Sequence, residues 1–194
     1  ALGIIQDAEE KKLIEPGGTV VEGTFGNTGI ALTMINNARG YKTIIVMPEA
    51  ASLEKRDILR NLGAELKIVE VKPYKDPGNY QHISRRLAEE LQVKGKGSVI
   101  WANQFDNTAN YEFHAKTTAK EIYDQLDGKI DGFTCAIGTG GTLAGTSVGL
   151  KELNPNIKIA CTDPQGATMY RYFKDSVLEV TGDPSETEGI GQVR

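Results

Sequence analysis

Short apolar runs alternate with segments of helical periodicity along most of the chain, and this alternation constrains the fold more than any other feature. Strands are predicted at residues 19–23, 43–48, 64–71, 98–103, 132–137 and 157–162. Helices are predicted at residues 1–14, 28–40, 53–62, 80–93, 110–126 and 142–153. Strands that alternate with helices at such spacings form parallel sheets through right-handed crossovers. The predicted class is therefore α/β, with mostly parallel sheets covered by helices on both faces.

Composition narrows the kinds of partner that the chain can have. The 194 residues are 39% hydrophobic and 25% charged, and the formal net charge is −4. No apolar run is long enough to cross a bilayer. Charges of both signs are interspersed, so the sequence shows no basic patch for nucleic acid. We therefore predict no membrane and no nucleic-acid partner, and a small ligand, including an anionic one, is compatible with this composition.

Cysteines and histidines give no sign of a metal site. Cys135 and Cys161 each lie inside an apolar run, which predicts small core residues in a reducing compartment. Neither has metal-ligand spacing. His82 and His114 are isolated on predicted helices, where a surface or capping role is expected.

A glycine-rich turn, Gly138-Thr-Gly-Gly-Thr142, lies between a predicted strand and the helix that Thr142 is expected to open. Its glycines let an anion approach the main-chain N–H groups, and a helix N-terminus favours negative charge. No lysine follows the glycines, so the turn is not a P-loop. A dinucleotide fingerprint needs a third glycine where Leu143 stands, although Asp163 could serve as its ribose-binding acid. Three interpretations of this turn therefore stay open, namely a phosphate-binding site, a dinucleotide-binding site and a connection with no chemical role.

Two further turns follow predicted strands, Thr24-Phe-Gly-Asn-Thr28 and Asn103-Gln-Phe105. Ligands of open α/β sheets bind beyond the carboxyl ends of strands, so these turns are candidate binding segments. The first combines a glycine, hydroxyls, an amide and a helix N-terminus, which suits a carboxylate. The simpler alternatives are a helix N-cap for Asn27 and a polar strand end for Gln104.

Five motifs in order resemble the fold-type II family of pyridoxal phosphate enzymes, and within it the cysteine synthases. The motifs are Val21–Ile30, Met47–Glu49 with Ser52–Lys55, Gln104–Asn107, Gly138–Thr142 and Glu188–Gln192. The resemblance covers almost the whole chain. It implies a two-lobed, three-layer αβα fold like that of the tryptophan synthase β subunit, with an N-terminal lobe at residues 1–102 and a truncated C-terminal lobe at residues 103–194. Residues 1–14 could pack on the second lobe.

The resemblance also implies roles for individual residues. The cofactor, pyridoxal 5′-phosphate, would be held by Asn27 at its ring hydroxyl, by the phosphate turn and by two later glycines. These cofactor-binding residues are Asn27, Gly138, Thr139, Gly140, Gly141, Thr142, Gly189 and Gly191. The residues expected to bind the amino-acid carboxylate are Thr24, Phe25, Gly26, Thr28 and Gln104.

The implied reaction is β-replacement, in which O-acetyl-L-serine and sulfide give L-cysteine with the cofactor as electron sink. Alternatives are a condensation of the cystathionine β-synthase type and a catalytically inert relative of the same fold. The resemblance further implies a homodimer in the cytoplasm, or in the mitochondrial matrix of a eukaryote.

The sequence departs from the family pattern at two points. The lysine that bonds covalently to the cofactor belongs to a Lys-Asp-Arg motif expected upstream of Ala1, so no catalytic residue is assigned within the chain. Phe25 stands where the family has a small residue, commonly serine or alanine. Its ring would either narrow the substrate pocket or pack beneath the turn.

Overall fold

The structure is a computed structural model that describes residues 1–95, 97–179, 187 and 189–191. It contains two compact units, Ala1–Asn107 and the described residues from Thr108 onward. Within these described ranges, no helix is both long and apolar enough to cross a membrane.

Unit 1 is a four-stranded parallel sheet with four helices. Its elements in chain order are α1 Leu2–Glu10, β1 Thr19–Gly23, α2 Asn27–Arg39, β2 Lys42–Pro48, α3 Leu53–Asn61, β3 Glu65–Val69, α4 Tyr80–Val93 and β4 Val99–Trp101. The strand order is β3-β2-β1-β4. Val21 of β1 is in register with Ile44 of β2 and Trp101 of β4. Because all pairs are parallel, the turns that follow β1 and β4 emerge at the same edge of the sheet.

Alternate residues of β2 show that helices cover both faces of this sheet. Ile45 and Met47 pack with Leu59 of α3 on one face. Ile44 points to the other face, where it packs with Ala88 of α4. Successive strand residues face opposite sides of a sheet, so unit 1 has three layers.

Unit 2 contains a two-stranded parallel sheet. Its elements are α5 Ala109–Lys116, α6 Thr118–Gln125, β5 Gly132–Ala136, α7 Gly141–Leu153, β6 Lys158–Thr162 and α8 Met169–Asp175. An apolar cluster joins Ala119 of α6, Leu150 of α7, and Ile157 beside β6. The predicted α/β class with parallel sheets is confirmed.

Two glycines allow α7 to lie directly against α5. A Cβ atom on Gly145 would overlap the carbonyl oxygen of Tyr111, and one on Gly149 would overlap the carbonyl oxygen of Ala115. The two glycines are four residues apart and therefore share one face of α7. This close approach brings the side chains of α5 next to the turn at which α7 begins.

Three predictions about local structure were wrong. The first helix ends at Glu10, because Lys12 adopts the left-handed conformation at φ +55 and the N–H of Leu13 bonds to Ala8 O. The helix predicted at 110–126 is broken at Thr117, whose hydroxyl donates to the Phe113 carbonyl one turn earlier. The free cysteines are half-buried and in register on β5 and β6, and they are not core residues.

We expect Gly145→Ala to lower the free energy of unfolding by about 1–3 kcal/mol, because the methyl group cannot fit against the α5 backbone. The loss should outweigh the gain of about 1 kcal/mol in helix propensity. Urea unfolding of the chain followed by circular dichroism measures the change. Val148→Ala on the same helix is the control, since Val148 is 45% exposed and its change should stay within about 0.5 kcal/mol. A Gly145→Ala variant as stable as the wild type would contradict this packing.

Candidate functional site

The turn Thr24–Thr28 connects β1 to α2 and is held by hydrogen bonds to β2 and to the side chain of Thr24. Thr24 N donates to Val46 O at 3.0 Å, and Gly26 N donates to Thr24 Oγ1 at 3.2 Å. Gly26 adopts φ +150, and a Cβ atom there would lie 2.5 Å from Lys55 Cδ. Glycine is therefore favoured at this position for its backbone conformation, and a side chain there would also displace the side chain of Lys55.

The helix α2 presents main-chain donors at this turn. It begins at Asn27, and its first internal hydrogen bond runs from Ile30 N to Gly26 O at 2.9 Å. The N–H groups of Asn27, Thr28 and Gly29 therefore have no acceptor inside the helix. The N-cap is Gly26, so the interpretation of Asn27 as an N-cap was wrong. The Asn27 side chain is exposed.

Gln104 comes to the same place from the turn after β4. Its side chain is only 6% exposed. Thr28 Oγ1 donates to Gln104 Oε1 at 2.5 Å, and Gln104 Nε2 donates to Gly23 O at 3.3 Å. The structure thus brings Thr24, Gly26, Thr28 and Gln104 together beside the N-terminus of α2. Hydroxyl, amide and main-chain donors in this arrangement suit a carboxylate.

Phe25 packs beneath this turn. Its ring lies against the cluster that contains Met47 and Leu59. It also makes an edge-to-face contact with Tyr80, with the ring centroids 5.4 Å apart. Of the two interpretations of Phe25, this geometry supports packing under the turn.

The second glycine turn, Gly138–Thr142, leads into α7. Gly140 adopts φ +90, and α7 begins at Gly141, one residue before the predicted start. The first internal hydrogen bond of the helix runs from Ala144 N to Gly140 O at 2.9 Å. The N–H groups of Thr142 and Leu143 therefore have no acceptor inside the helix and are placed to meet an anion.

Side chains of α5 support this second turn. Asn110 Nδ2 donates to Thr139 Oγ1 at 3.0 Å, and the amide of Asn110 leaves no room for a side chain on Gly141. His114 lies one helical turn after Asn110. Its Nε2 is 3.4 Å from Thr142 Oγ1, and its Nδ1 is 2.9 Å from Thr118 Oγ1. Burial lowers the pKa of His114, which favours the neutral ring.

Asn110 was not singled out in the sequence, and His114 was predicted to have only a surface or capping role. Both lie on the face of α5 that packs against α7. The spacing of the two residues, i and i+4, was the available signal, because such residues share a helix face.

Gly189 and Gly191 lie next to the second turn. Gly191 N donates to Ile137 O at 2.9 Å, at the end of β5. A Cβ atom on Gly138 would overlap the carbonyl oxygen of Gly189. The structure therefore brings both predicted glycines to the predicted phosphate turn. Glu188 and Gln192 of the same motif lie outside the described residues.

Glu22 is a buried acid that the sequence analysis did not select. It lies in β1, directly before the first turn, and is 2% exposed. Its Oε1 accepts from Gly23 N at 3.0 Å, and its Oε2 accepts from Gln104 N at 3.2 Å. Burial raises its pKa from 4.5 to about 8, and the N–H donors oppose this shift only in part.

Two parallel α/β units, each with a glycine-containing turn at a helix N-terminus, present main-chain N–H donors of the kind that bind small anionic groups in α/β proteins. A model of the family of pyridoxal-phosphate dependent enzymes matches residues 1–193, and the chain belongs to this family.

Individual relatives agree with this assignment. Cysteine synthase 1 of Neurospora crassa is 48% identical over 197 residues, which cover 100% of this chain and 51% of that protein. A cystathionine β-synthase of Apis mellifera is 43% identical over 197 residues, which cover 98% of this chain and 36% of that protein. The solved structure of an O-ureido-L-serine synthase has a TM-score of 0.85 at 35% identity and covers 99% of this chain and 56% of that one. The chain spans about half the length of the curated relatives it matches.

We expect the raised pKa of Glu22 to make the stability of unit 1 depend on pH. The folded chain holds this proton up to about pH 8, whereas the unfolded chain releases it near pH 4.5. The free energy of unfolding should therefore increase as the pH falls from 8 to 5, by at most about 4 kcal/mol. Glu22→Gln lacks this contribution and serves as the reference. The Ala1 amino group, whose charge acts on Glu22, is common to both chains.

Urea unfolding monitored by the fluorescence of Trp101, the single tryptophan of the chain, measures both proteins at pH 5 and pH 8. An equal pH dependence of the two would show that Glu22 titrates near its ordinary pKa in the folded chain.

Proposed function

We propose that the full-length protein is a pyridoxal phosphate-dependent cysteine synthase that converts O-acetyl-L-serine and sulfide into L-cysteine and acetate. The observation that carries this proposal is the glycine turn at the start of α7, with Gly189 and Gly191 beside it. The identity of 48% with a cysteine synthase, over the full length of this chain, supports the same conclusion.

The residues of this turn fit a phosphate group. Gly138, Gly140 and Gly141 carry no side chains that could cover the main chain, so a ligand can approach it directly. Thr139 is held by Asn110, and Thr142 lies within reach of His114. We propose that the N–H groups and hydroxyls of Gly138–Thr142 bind the cofactor phosphate.

The first turn fits the carboxylate of an amino acid. We propose that the N–H groups at the start of α2, the Gln104 amide and the Thr28 hydroxyl bind this carboxylate, with the Thr28 proton turning from Gln104 Oε1 to the ligand, and that Asn27 binds the ring hydroxyl of the cofactor. The exposed Asn27 side chain is compatible with that role, because it does not cap its own helix. When bound, the cofactor supplies an electron sink for β-replacement. The chain's own contribution is to hold the amino acid in a fixed orientation.

Two properties of the whole protein stay predictions from the family resemblance. These are a homodimeric assembly and a cytoplasmic location, with the mitochondrial matrix as the alternative in a eukaryote. The family match leaves the dinucleotide-binding alternative without support. Asp163, the acid on which that alternative depended, accepts a hydrogen bond from Tyr170 N at 2.9 Å.

Substrate specificity tests the proposed reaction directly. We expect the full-length protein loaded with pyridoxal phosphate to form L-cysteine from O-acetyl-L-serine and sulfide, measured as thiol product by chromatography. Turnover of serine with homocysteine instead would assign it to the cystathionine β-synthase type. No turnover of either pair by a protein that retains the cofactor would assign it to the inert relatives.

We expect Thr28→Val in the full-length protein to raise KM for O-acetyl-L-serine about 10- to 100-fold, because a hydrogen bond to a charged group is lost. Steady-state kinetics and the cofactor absorbance are measured together, and the cofactor content should not change. Thr33→Val is the matched control on the same helix. Its hydroxyl donates to Gly29 O at 2.7 Å and is fully buried, so KM should stay at the wild-type value. Equal KM values for the two variants would exclude Thr28 from carboxylate binding.

A further inference from the structure

Glu22 is a buried acid to which the proposed chemistry gives no role. Among the residues that the structure describes, no lysine or arginine forms an ion pair with it. Burying a carboxyl group costs free energy, and its raised pKa reflects that cost, which the charge of the Ala1 amino group offsets only in part. Every residue of β1 is buried, so an apolar side chain would fill the same space without this cost. The contacts of the carboxyl group must therefore account for its presence.

The two oxygens of Glu22 join two segments that are far apart in sequence. One accepts from Gly23 N, and the other accepts from Gln104 N, 82 residues later. Asn103, next to Gln104, adopts φ +48, a left-handed conformation that asparagine takes more readily than most residues other than glycine. The carboxyl group thus joins the turn after β4 to the end of β1 through main-chain hydrogen bonds.

This turn fixes the side chain of Gln104. From there the amide donates to Gly23 O and accepts from Thr28 Oγ1. We propose that Glu22 is a positioning residue, which binds the main-chain N–H groups of Gly23 and Gln104 and so holds the Thr28–Gln104 pair in place for the amino-acid carboxylate. This inference rests on the proposed carboxylate site.

A role in positioning differs from a role in filling space, and two variants separate them. Glu22→Gln keeps the shape of the side chain but turns one acceptor into a donor that faces an N–H group. Glu22→Met fills a similar volume and removes both acceptors. If Glu22 only fills space, both variants should bind the substrate as the wild type does. If it positions Gln104, both should weaken substrate binding.

The first experiment measures steady-state kinetics of the full-length protein loaded with pyridoxal phosphate. For Glu22→Gln we expect KM for O-acetyl-L-serine to rise at least about tenfold, while kcat changes less than about threefold and the cofactor absorbance is retained. Asn36→Asp is the matched control, a similar exchange at a fully buried amide whose Nδ2 donates to Thr43 Oγ1 at 2.9 Å. Its KM should equal that of the wild type. An unchanged KM in both Glu22 variants would overturn the positioning role.

A double-mutant cycle tests whether Glu22 acts through Gln104. We expect Gln104→Ala combined with Glu22→Gln to have the same KM as Gln104→Ala alone, because the side chain that Glu22 positions is already absent. If the increases in KM of the two single variants multiply in the double variant, Glu22 acts by a route that does not involve the Gln104 side chain.

Hydrogen–deuterium exchange of the full-length protein needs no turnover. In Glu22→Gln we expect faster exchange in residues 102–107 and unchanged exchange in residues 132–142. Faster exchange in a protein whose wild type makes no cysteine would support the positioning role and reject the proposed function. Unchanged exchange at 102–107 would overturn the positioning role. So would a failure of both Glu22 variants to fold while Asn36→Asp folds, because Glu22 would then be required for the fold itself.

Discussion

The N–H groups in the first turns of α2 and α7 have no acceptor inside their own helices, and much of the structure serves to keep them accessible. An anion reaches such groups only where no side chain stands in the way. The glycines at positions 26, 138 and 141 meet this requirement, and a Cβ atom at each would also lie too close to neighbouring atoms of the protein. In unit 1 the parallel register adds the second condition, because it brings Gln104 from the end of β4 to the turn after β1. The access of an anion to these N–H groups thus accounts for the positions of the glycines, the direction of the strands and the placement of the hydroxyl groups.

The order of elements was predictable because burial imposes a period on the sequence. The helix predicted at 80–93 is present as Tyr80–Val93, since Asn79 caps it and its apolar residues recur at helical spacing. The predicted helix boundaries were wrong where the residue that ends the helix is of an unusual type. Lysine at position 12 ends α1 in a conformation usually taken by glycine, and a threonine hydroxyl at position 117 competes with the helix. Neither of these helix ends can be predicted from hydrophobic periodicity.

The turns of the candidate site were predictable from composition, but the residues that support them were not. Glycine and threonine next to a predicted helix start are a local signal. Asn110, His114 and Glu22 act across the fold, through contacts with residues 28 to 82 positions away. Besides the i, i+4 spacing of Asn110 and His114, Glu22 also left a trace in the sequence. A glutamate inside the apolar run Thr19–Gly23 has to find hydrogen-bond donors once that strand is buried.

Two kinds of contact hold the turn Thr24–Thr28 in place, apolar packing on one side and hydrogen bonds to a buried carboxyl group on another. Below it, the Phe25 ring packs on Tyr80 and the apolar cluster of β2 and α3, which fixes the turn through shape and adds stability. Beside it, the Glu22 carboxyl group fixes the main chain through hydrogen bonds and costs stability, because its charged form is buried away from water. Only the second contact reaches Gln104. A carboxylate site needs its donors held within fractions of an ångström, so a chain can keep a destabilising group where it sets that geometry. The apolar packing of Phe25 then offsets part of the loss in the free energy of unfolding that the buried acid causes.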